Sequence, residues 1–227
     1  IKEYGDVLHD PTYITDTELS VISVSPKIDI ALGGGVPEGS LFIMTGPEKV
    51  GKTVTALAFC SNAQSLQRKV YYGNIEGRLK KRDLEGIVDL CMKTDGLEII
   101  GSTQGNILCA EQYLGIFDNL IHTQPGCICV VDSFSALSSE SELTGDLTDN
   151  QVMSVQKILA KFCRRISNVL PINKVTVVGI THLMANISNF GRGKTKVEKS
   201  GTALKYQVDV KLHATHSQAI MQGDTQI

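Results

Sequence analysis

Short apolar runs rich in β-branched residues alternate along the chain with longer stretches whose apolar positions recur at helical spacing. This alternation is typical of βαβ units, in which parallel strands are joined by helices that cover the sheet. The apolar runs predict six strands, at residues 41–45, 69–75, 97–101, 127–133, 174–181 and 209–214. We therefore expect an α/β fold with a mostly parallel, twisted sheet and helices on both faces.

Three of the intervening stretches predict helices. Residues 107–121 and 152–166 carry apolar side chains at three- and four-residue steps, which gives each helix one face for a core. Residues 53–67 follow the first strand directly and predict a third helix. By contrast, residues 1–20, 138–150 and 184–202 are polar and irregular, and such segments in a compact domain are usually functional or disordered.

The composition fits a globular protein with one full core, since 42% of the 227 residues are hydrophobic and 20% are charged. The formal net charge is −2, so affinity for nucleic acid would have to come from a local basic patch. No apolar run reaches the roughly 18 to 20 residues of a membrane helix, and no basic and apolar leader precedes the first strand. We therefore expect a cytoplasmic protein without a membrane partner.

Cysteine spacing argues against a metal or redox centre. The six cysteines form no C-x-x-C pair, and Cys127 and Cys129 alternate within an apolar run. This pattern predicts reduced thiols in the core. The chain begins at Ile1 without a methionine and ends at Ile227 among small polar residues, so we expect a part of a longer protein.

A phosphate-binding loop is predicted at residues 46–53, which match G-x-x-x-x-G-K-[ST] between a strand and a helix. In such a loop the N–H groups at the helix N-terminus face the anion, Lys52 reaches the β- and γ-phosphates, and the Thr53 hydroxyl binds Mg²⁺. The alternative is a chance Gly-Lys-Thr turn, which the flanking strand and helix disfavour. The predicted nucleotide-binding residues are Gly46, Pro47, Glu48, Lys49, Val50, Gly51, Lys52, Thr53 and Val54.

Three polar residues follow or end other predicted strands. Asp132 ends an apolar strand, as the magnesium-shell aspartate of P-loop enzymes does; the disfavoured alternative is an aspartate that caps the next loop. Glu76 follows the second strand and is the candidate base that deprotonates water; an ordinary loop glutamate is the alternative. His182 closes the strand at 174–181 and is either a sensor of the γ-phosphate or a surface histidine.

Four segments resemble the RecA strand-exchange recombinases, in the same order and at similar separations: residues 28–39, 46–53, 130–137 and 201–206. The likeness extends from about Val21 to Ala214. It implies a RecA-type ATPase core that binds ATP and Mg²⁺ between neighbouring subunits of a helical filament. By position it implies that Glu76 is the catalytic glutamate, with Lys52 and His182 as further catalytic residues and Thr53 and Asp132 as magnesium ligands.

The resemblance also implies two regions in the chain and indicates a branch of the family. Residues 1–20 are expected to be an arm in contact with a neighbouring subunit, and residues 21–227 the ATPase core, with a C-terminal region missing. His182 stands where bacterial RecA carries glutamine, whereas histidine is typical of the phage UvsX branch, so a phage-type protein is favoured. Lys80 and Asp83 depart from the bacterial residues that touch the adenine, which leaves base recognition open.

Residues 142–147 resemble the first DNA-binding loop of the family and residues 184–200 the second. For the basic residues of the helix at 152–166 the alternative is a solvated helix edge, and for those of residues 184–200 it is a flexible solvated loop. The stretch 78–82 is either a basic rim near the nucleotide or the second DNA strand, or an ordinary helix start, which we favour. The predicted DNA-binding residues are Lys157, Arg164, Arg192, Lys194, Lys196 and Lys199.

These features together predict an ATP-dependent recombinase that forms filaments on single-stranded DNA, pairs it with double-stranded DNA and hydrolyses ATP. Loader or single-strand-binding proteins would be further partners. The alternatives are a hexameric helicase with the same ATPase fold and a regulator that binds ATP with little hydrolysis.

Overall fold

The computed structural model describes residues 9–15, 18, 20–145, 154–185, 196–198, 201–215, 221–222 and 225–226. The strands are β1 Val21–Ile22, β2 Val36–Pro37, β3 Leu41–Gly46, β4 Val70–Asn74, β5 Leu97–Ile100, β6 Ile128–Asp132, β7 Thr176–Ala185, β8 Lys196–Glu198, β9 Val210–His213, β10 Met221–Gln222 and β11 Thr225–Gln226. The helices are α1 Thr12–Thr15, α2 Pro26–Leu32, α3 Lys52–Ser65, α4 Lys81–Glu85, α5 Ala110–Thr123, α6 Glu140–Thr144, α7 Ser154–Ile166, α8 Val169–Asn173 and α9 Gly201–Gln207.

Six parallel strands make the central sheet, in the order β5-β4-β6-β7-β3-β9. Each of them was predicted from the apolar runs, and the α/β class is confirmed. The short strands β1 and β2 pair antiparallel in a separate two-stranded sheet, and β10 and β11 pair antiparallel in another.

Alternation along the central strands divides the core between the two faces of the sheet. Leu41 and Ile43 of β3 belong to a cluster that includes the buried faces of α5, α7 and α8. Phe42 and Met44 belong to a second cluster, with the buried face of α3. Helices therefore cover both faces, as continuous apolar strands require.

The seventh strand differs from its predicted bounds at both ends. It starts at Thr176 because Lys174 takes a left-handed conformation, with φ of 53°, where α8 ends. It continues to Ala185 because residues 183–185 pair antiparallel with β8. His182 therefore lies inside β7 and does not close it, which corrects the sequence-based expectation.

The segments predicted to be irregular contain ordered parts. Within 138–150, Ser139 accepts a hydrogen bond from the Glu142 N–H and caps α6. Within 184–202, β8 pairs with β7 and α9 begins at Gly201. Tyr13 and Ile14 of α1 are exposed, and the role of residues 1–20 in subunit contact stays a prediction.

All six cysteines are free thiols, and the five that are buried confirm the predicted place in the core, whereas Cys91 is only half-buried. Burial raises the pKa of the Cys60 thiol to about 12 and that of Cys163 to about 11, so both remain protonated at neutral pH. Within the part of the chain that the structure describes, no helix is long and apolar enough to cross a membrane.

Glu38 anchors the edge of the sheet opposite the phosphate-binding loop. Its side chain is only 7% exposed, and its carboxylate pairs with Arg68 and, at 3.1 Å, with the Lys174 ammonium. We expect Glu38→Gln to lower the free energy of unfolding by about 2 kcal/mol, because two cations lose their shared partner. Urea unfolding followed by circular dichroism measures this change.

Glu98→Gln is the matched control, since Glu98 also pairs with a lysine, Lys69, but is 46% exposed. An exposed pair contributes about 0 to 1 kcal/mol. Equal loss of stability in the two variants would contradict the anchoring role of Glu38.

Candidate nucleotide-binding site

The candidate site lies at the carboxyl ends of β3, β4 and β6 and beside His182, where β7 ends its parallel pairing with β3. Gly46 of β3 is in register with His182 of β7, and Asn74 of β4 is in register with Asp132 of β6. Glu76 follows Asn74 closely, and its N–H donates to the Asp132 carbonyl at 3.3 Å. Parallel pairing therefore brings residues from distant parts of the sequence to one edge, which is where open α/β sheets bind ligands.

The predicted phosphate-binding loop joins β3 to α3. Lys49 and Gly51 have positive φ, 59° and 86°, and this turn leads directly into the first residue of α3. The free N–H groups at the start of this long helix provide a site for an anion. The loop thus has the geometry that the sequence motif predicts.

Lys52 folds back over this loop. Its ammonium donates to the Gly46 carbonyl at 3.0 Å and to the Pro47 carbonyl, and the residue is only 8% exposed. Burial lowers the pKa of Lys52, and the charges of Asp132, Glu76 and Glu48 offset this only in part. A phosphate anion would stabilise the buried ammonium, so this lysine fits a ligand of that charge.

Asp132 receives two hydrogen bonds on one oxygen. The Thr53 hydroxyl lies 2.9 Å from Oδ2 and the Tyr72 hydroxyl lies 2.7 Å from the same atom. Burial raises the pKa of Asp132 despite these bonds. A divalent cation would favour the ionised carboxylate, and hydroxyl and carboxylate oxygens are the ligands that Mg²⁺ prefers, so Thr53 and Asp132 fit a magnesium site.

Glu76 is held by side chains from two neighbouring strand ends. The Ser133 hydroxyl and the His182 Nε2 each lie 2.7 Å from Oε1, while Arg78 lies 3.7 Å from Oε2. Burial alone would raise the pKa of Glu76, but the hydrogen bonds from Ser133 and His182 and the charges of His182 and Arg78 lower it. The carboxylate is therefore ionised at neutral pH.

His182 connects the site to the extension of β7. Its imidazole donates to Glu76, because an ionised carboxylate only accepts, and its main-chain N–H donates to the Ser135 hydroxyl at 2.9 Å. Ser135 belongs to a short 3-10 helix, Phe134–Ala136, which packs against Gly179 of β7. A Cβ at Gly179 would lie 2.2 Å from the Phe134 ring, so the glycine allows this close approach.

The predicted DNA-binding residues are only partly described. Lys157 and Arg164 are exposed on α7. Lys196 begins β8, opposite Ala185 of β7. Arg192, Lys194 and Lys199 lie outside the described residues, and the role of all six in DNA binding stays a prediction.

The basic stretch 78–82 enters α4, with Asp83 accepting from the Lys80 N–H at 2.8 Å as a helix cap. The segment thus begins a solvated helix, as one of its two interpretations expects. Arg78 also lies 3.7 Å from Glu76, which fits the other interpretation, a basic rim near the nucleotide.

Sequence reasoning missed three residues of this site: Tyr72, Ser133 and Ser135. Tyr72 lies within an apolar strand, where its pattern indicates only a core residue. The two serines follow Asp132 closely, and only the geometry of the strand ends directs one to Glu76 and the other to His182.

Comparison with known proteins identifies the family that the chain resembles. Residues 9–227 match the RecA N-terminal domain family. The chain is 31% identical over 209 residues to Protein RecA of Campylobacter fetus subsp. fetus, covering 92% of this chain and 58% of that protein. It is 28% identical over 229 residues to DNA repair protein recA homolog 3, mitochondrial, of Arabidopsis thaliana, covering 97% of this chain and 50% of the relative.

A third relative, Protein RecA of Sulfurovum sp. (strain NBC37-1), is 29% identical over 201 residues, which cover 88% of this chain and 56% of that protein. The chain therefore spans between half and 58% of the length of these curated relatives. The phage branch that His182 favours stays a prediction. Because the family match extends over nearly the whole chain and includes every strand of the central sheet, the chain belongs to the RecA family.

Proposed function

We propose that this chain is the ATPase core of a DNA recombinase that forms helical filaments on single-stranded DNA and pairs it with homologous double-stranded DNA. One observation carries the proposal: the phosphate-binding loop, the Thr53–Asp132 pair and the Glu76–His182 pair meet at one sheet edge. The names of the relatives, Protein RecA and a DNA repair homologue, support the same activity.

The nucleotide would enter with its phosphates on the loop before α3. Lys52 would exchange its carbonyl partners for the β- and γ-phosphate oxygens, which suit a buried ammonium better than neutral carbonyls do. Thr53 and Asp132 would hold Mg²⁺, which supplies charge neutralisation at the phosphates when bound. The main-chain N–H groups of the loop complete a positive surface for the anion.

Hydrolysis would begin at Glu76. A water molecule attacks the γ-phosphorus, its proton passes to a carboxylate oxygen of Glu76, and the bond from phosphorus to the β–γ bridging oxygen breaks to release ADP. The lowered pKa of Glu76 makes it a weak base in the nucleotide-free protein. Loss of the hydrogen bond from His182, together with the nearby negative charge of the γ-phosphate, would raise that pKa and strengthen the base.

DNA would bind along the basic residues of α7 and of residues 184–200. Phosphate contacts of this kind hold a strand without reading its sequence, so homology would be tested by base pairing. Filament growth would place the nucleotide between neighbouring subunits, with residues 1–20 as a contact arm. A cytoplasmic location and partners that load the filament belong to the same proposal.

The test measures ATP hydrolysis by the full-length protein with and without single-stranded DNA, over a series of salt concentrations. We expect strong stimulation by DNA that declines steeply with salt, because counterions compete for the phosphate contacts. Electron microscopy of the protein with ATP and DNA should then reveal open helical filaments.

Other outcomes would favour the alternatives. Closed rings that unwind duplex DNA would support a hexameric helicase. Tight ATP binding with hydrolysis indifferent to DNA would overturn the recombinase proposal and support a regulator.

A further inference from the structure

Tyr72 places a polar group at the boundary between the core and the nucleotide site. It lies in β4, has 0% exposure and belongs to the apolar cluster between the sheet and α3. Its hydroxyl is 2.7 Å from Asp132 Oδ2. A buried hydroxyl without a partner is costly, so this bond fixes the phenol and the carboxylate relative to each other.

The direction of this hydrogen bond follows from the chemistry of the two groups. A tyrosine phenol carries its proton at neutral pH, so the Tyr72 hydroxyl has a hydrogen to donate. A neutral phenol beside a carboxylate acts as the donor. Tyr72 is therefore a permanent donor to Asp132 at neutral pH.

Thr53, the second hydrogen-bond donor to Asp132 Oδ2, is also a predicted metal ligand. Thr53 donates to Asp132 Oδ2 in this structure, and its hydroxyl oxygen is also the predicted magnesium ligand. Among the described residues, the side-chain hydrogen bonds to the Asp132 carboxylate both reach Oδ2, so neither occupies Oδ1. Once Thr53 binds the metal, Tyr72 remains as a hydrogen-bond donor to Asp132 whose position does not depend on the metal.

We propose that Tyr72 is a positioning residue for the magnesium site: its buried hydroxyl orients the Asp132 carboxylate for the ion that accompanies ATP. The inference rests on the proposed ATP-binding function. Groups that orient metal ligands from behind contribute substantially to metal affinity, although they never touch the ion. An apolar ring at this position would fill the same space and leave the carboxylate free to rotate.

The test compares Tyr72→Phe with Tyr113→Phe in the full-length protein. Tyr113 is also buried, at 2% exposure, and its hydroxyl accepts from the Ser102 N–H at 3.0 Å, away from the candidate site. Each variant loses one buried hydroxyl and the hydrogen bonding of that hydroxyl, to Asp132 for Tyr72 and to the Ser102 N–H and hydroxyl for Tyr113. Binding of a fluorescent ATP analogue is titrated with Mg²⁺, and the midpoint magnesium concentration is the readout.

We expect Tyr72→Phe to raise the magnesium midpoint about tenfold, and Tyr113→Phe to leave it within about twofold of the wild type. Affinity for the analogue in EDTA and the far-ultraviolet circular dichroism spectrum should match the wild type in both variants, which shows that the fold and the phosphate loop are intact.

A magnesium midpoint in Tyr72→Phe equal to that of the wild type would overturn the inference while leaving the proposed function standing. Equal shifts in the two variants would overturn it as well, because the effect would then come from lost stability. If the wild-type protein binds the analogue in neither condition, the proposed function itself fails, and the wild-type arm alone reveals this.

Discussion

Replacing Glu76 with glutamine is expected to reduce DNA-stimulated ATP hydrolysis by about 100-fold to 10,000-fold, the usual contribution of a general base. Glutamine keeps an oxygen at Oε1, so it can still accept from Ser133 and His182. Its amide nitrogen replaces Oε2 and cannot take a proton from water. The variant should therefore bind ATP and Mg²⁺ normally and form filaments that persist, because the nucleotide is not consumed.

The matched control is Glu48→Gln. Glu48 is exposed on the phosphate loop, and its charge acts on Lys52 as that of Glu76 does. Removing it tests whether a changed charge near the lysine is enough to stop hydrolysis. Steady-state phosphate release and binding of a fluorescent ATP analogue should be measured for both variants. Hydrolysis by Glu76→Gln within about threefold of the wild type would reject Glu76 as the base.

The six strands of the central sheet were predictable, because apolar runs with polar residues at their ends are local features of the sequence. The short helix α8 was not predicted, since it contains Pro171, which is normally excluded from helix interiors. Here the proline lies in the first turn, where N–H groups have no partner within the helix. The extension of β7 was not predictable either, because it depends on pairing with residues 196–198.

For the site, the sequence predicted the residues that would contact the nucleotide, metal or water, but not the neighbouring residues that hydrogen-bond to them. Lys52, Thr53, Glu76, Asp132 and His182 stand near strand ends or in a known loop, so strand geometry alone predicts their meeting. Ser133 and Tyr72 have no such signal. One looks like a turn residue and the other like a core residue, and their roles depend on side-chain directions that only the folded sheet defines.

Replacing His182 with alanine is expected to lower the ratio of DNA-stimulated to basal hydrolysis about tenfold or more, and to raise the basal rate, because Glu76 then lacks the hydrogen bond that weakens it as a base. His182 contacts Glu76 through its ring, and its strand runs on to the pairing of residues 183–185 with β8. The residues between these two strands are predicted to bind DNA. Without the imidazole, rearrangement of β7 on DNA no longer changes the hydrogen bonding of the base.

The conservative variant His182→Gln keeps an N–H donor for Glu76 and should retain most of the stimulation. His122→Ala controls for loss of a histidine, since His122 is half exposed at the end of α5, beside Asp118. Hydrolysis should be measured for all three variants over a range of DNA concentrations. DNA stimulation of His182→Ala equal to that of the wild type would refute the coupling role.

His182→Ala should also change how the free energy of unfolding depends on pH, and this effect does not involve DNA. In the wild type the folded pKa of Glu76 lies below its ordinary value of 4.5, so its stabilising contribution is complete above pH 4.5 and is lost as pH falls through the folded value. Alanine at 182 removes a donor while burial remains, so the folded pKa of Glu76 rises. His182→Ala should therefore lose less free energy of unfolding than the wild type when the pH is lowered from neutral to below 4.5, as urea unfolding at each pH would measure. An identical pH dependence in the two proteins would mean that the imidazole does not act on the carboxylate in solution, and the sensor role would then lose its physical basis.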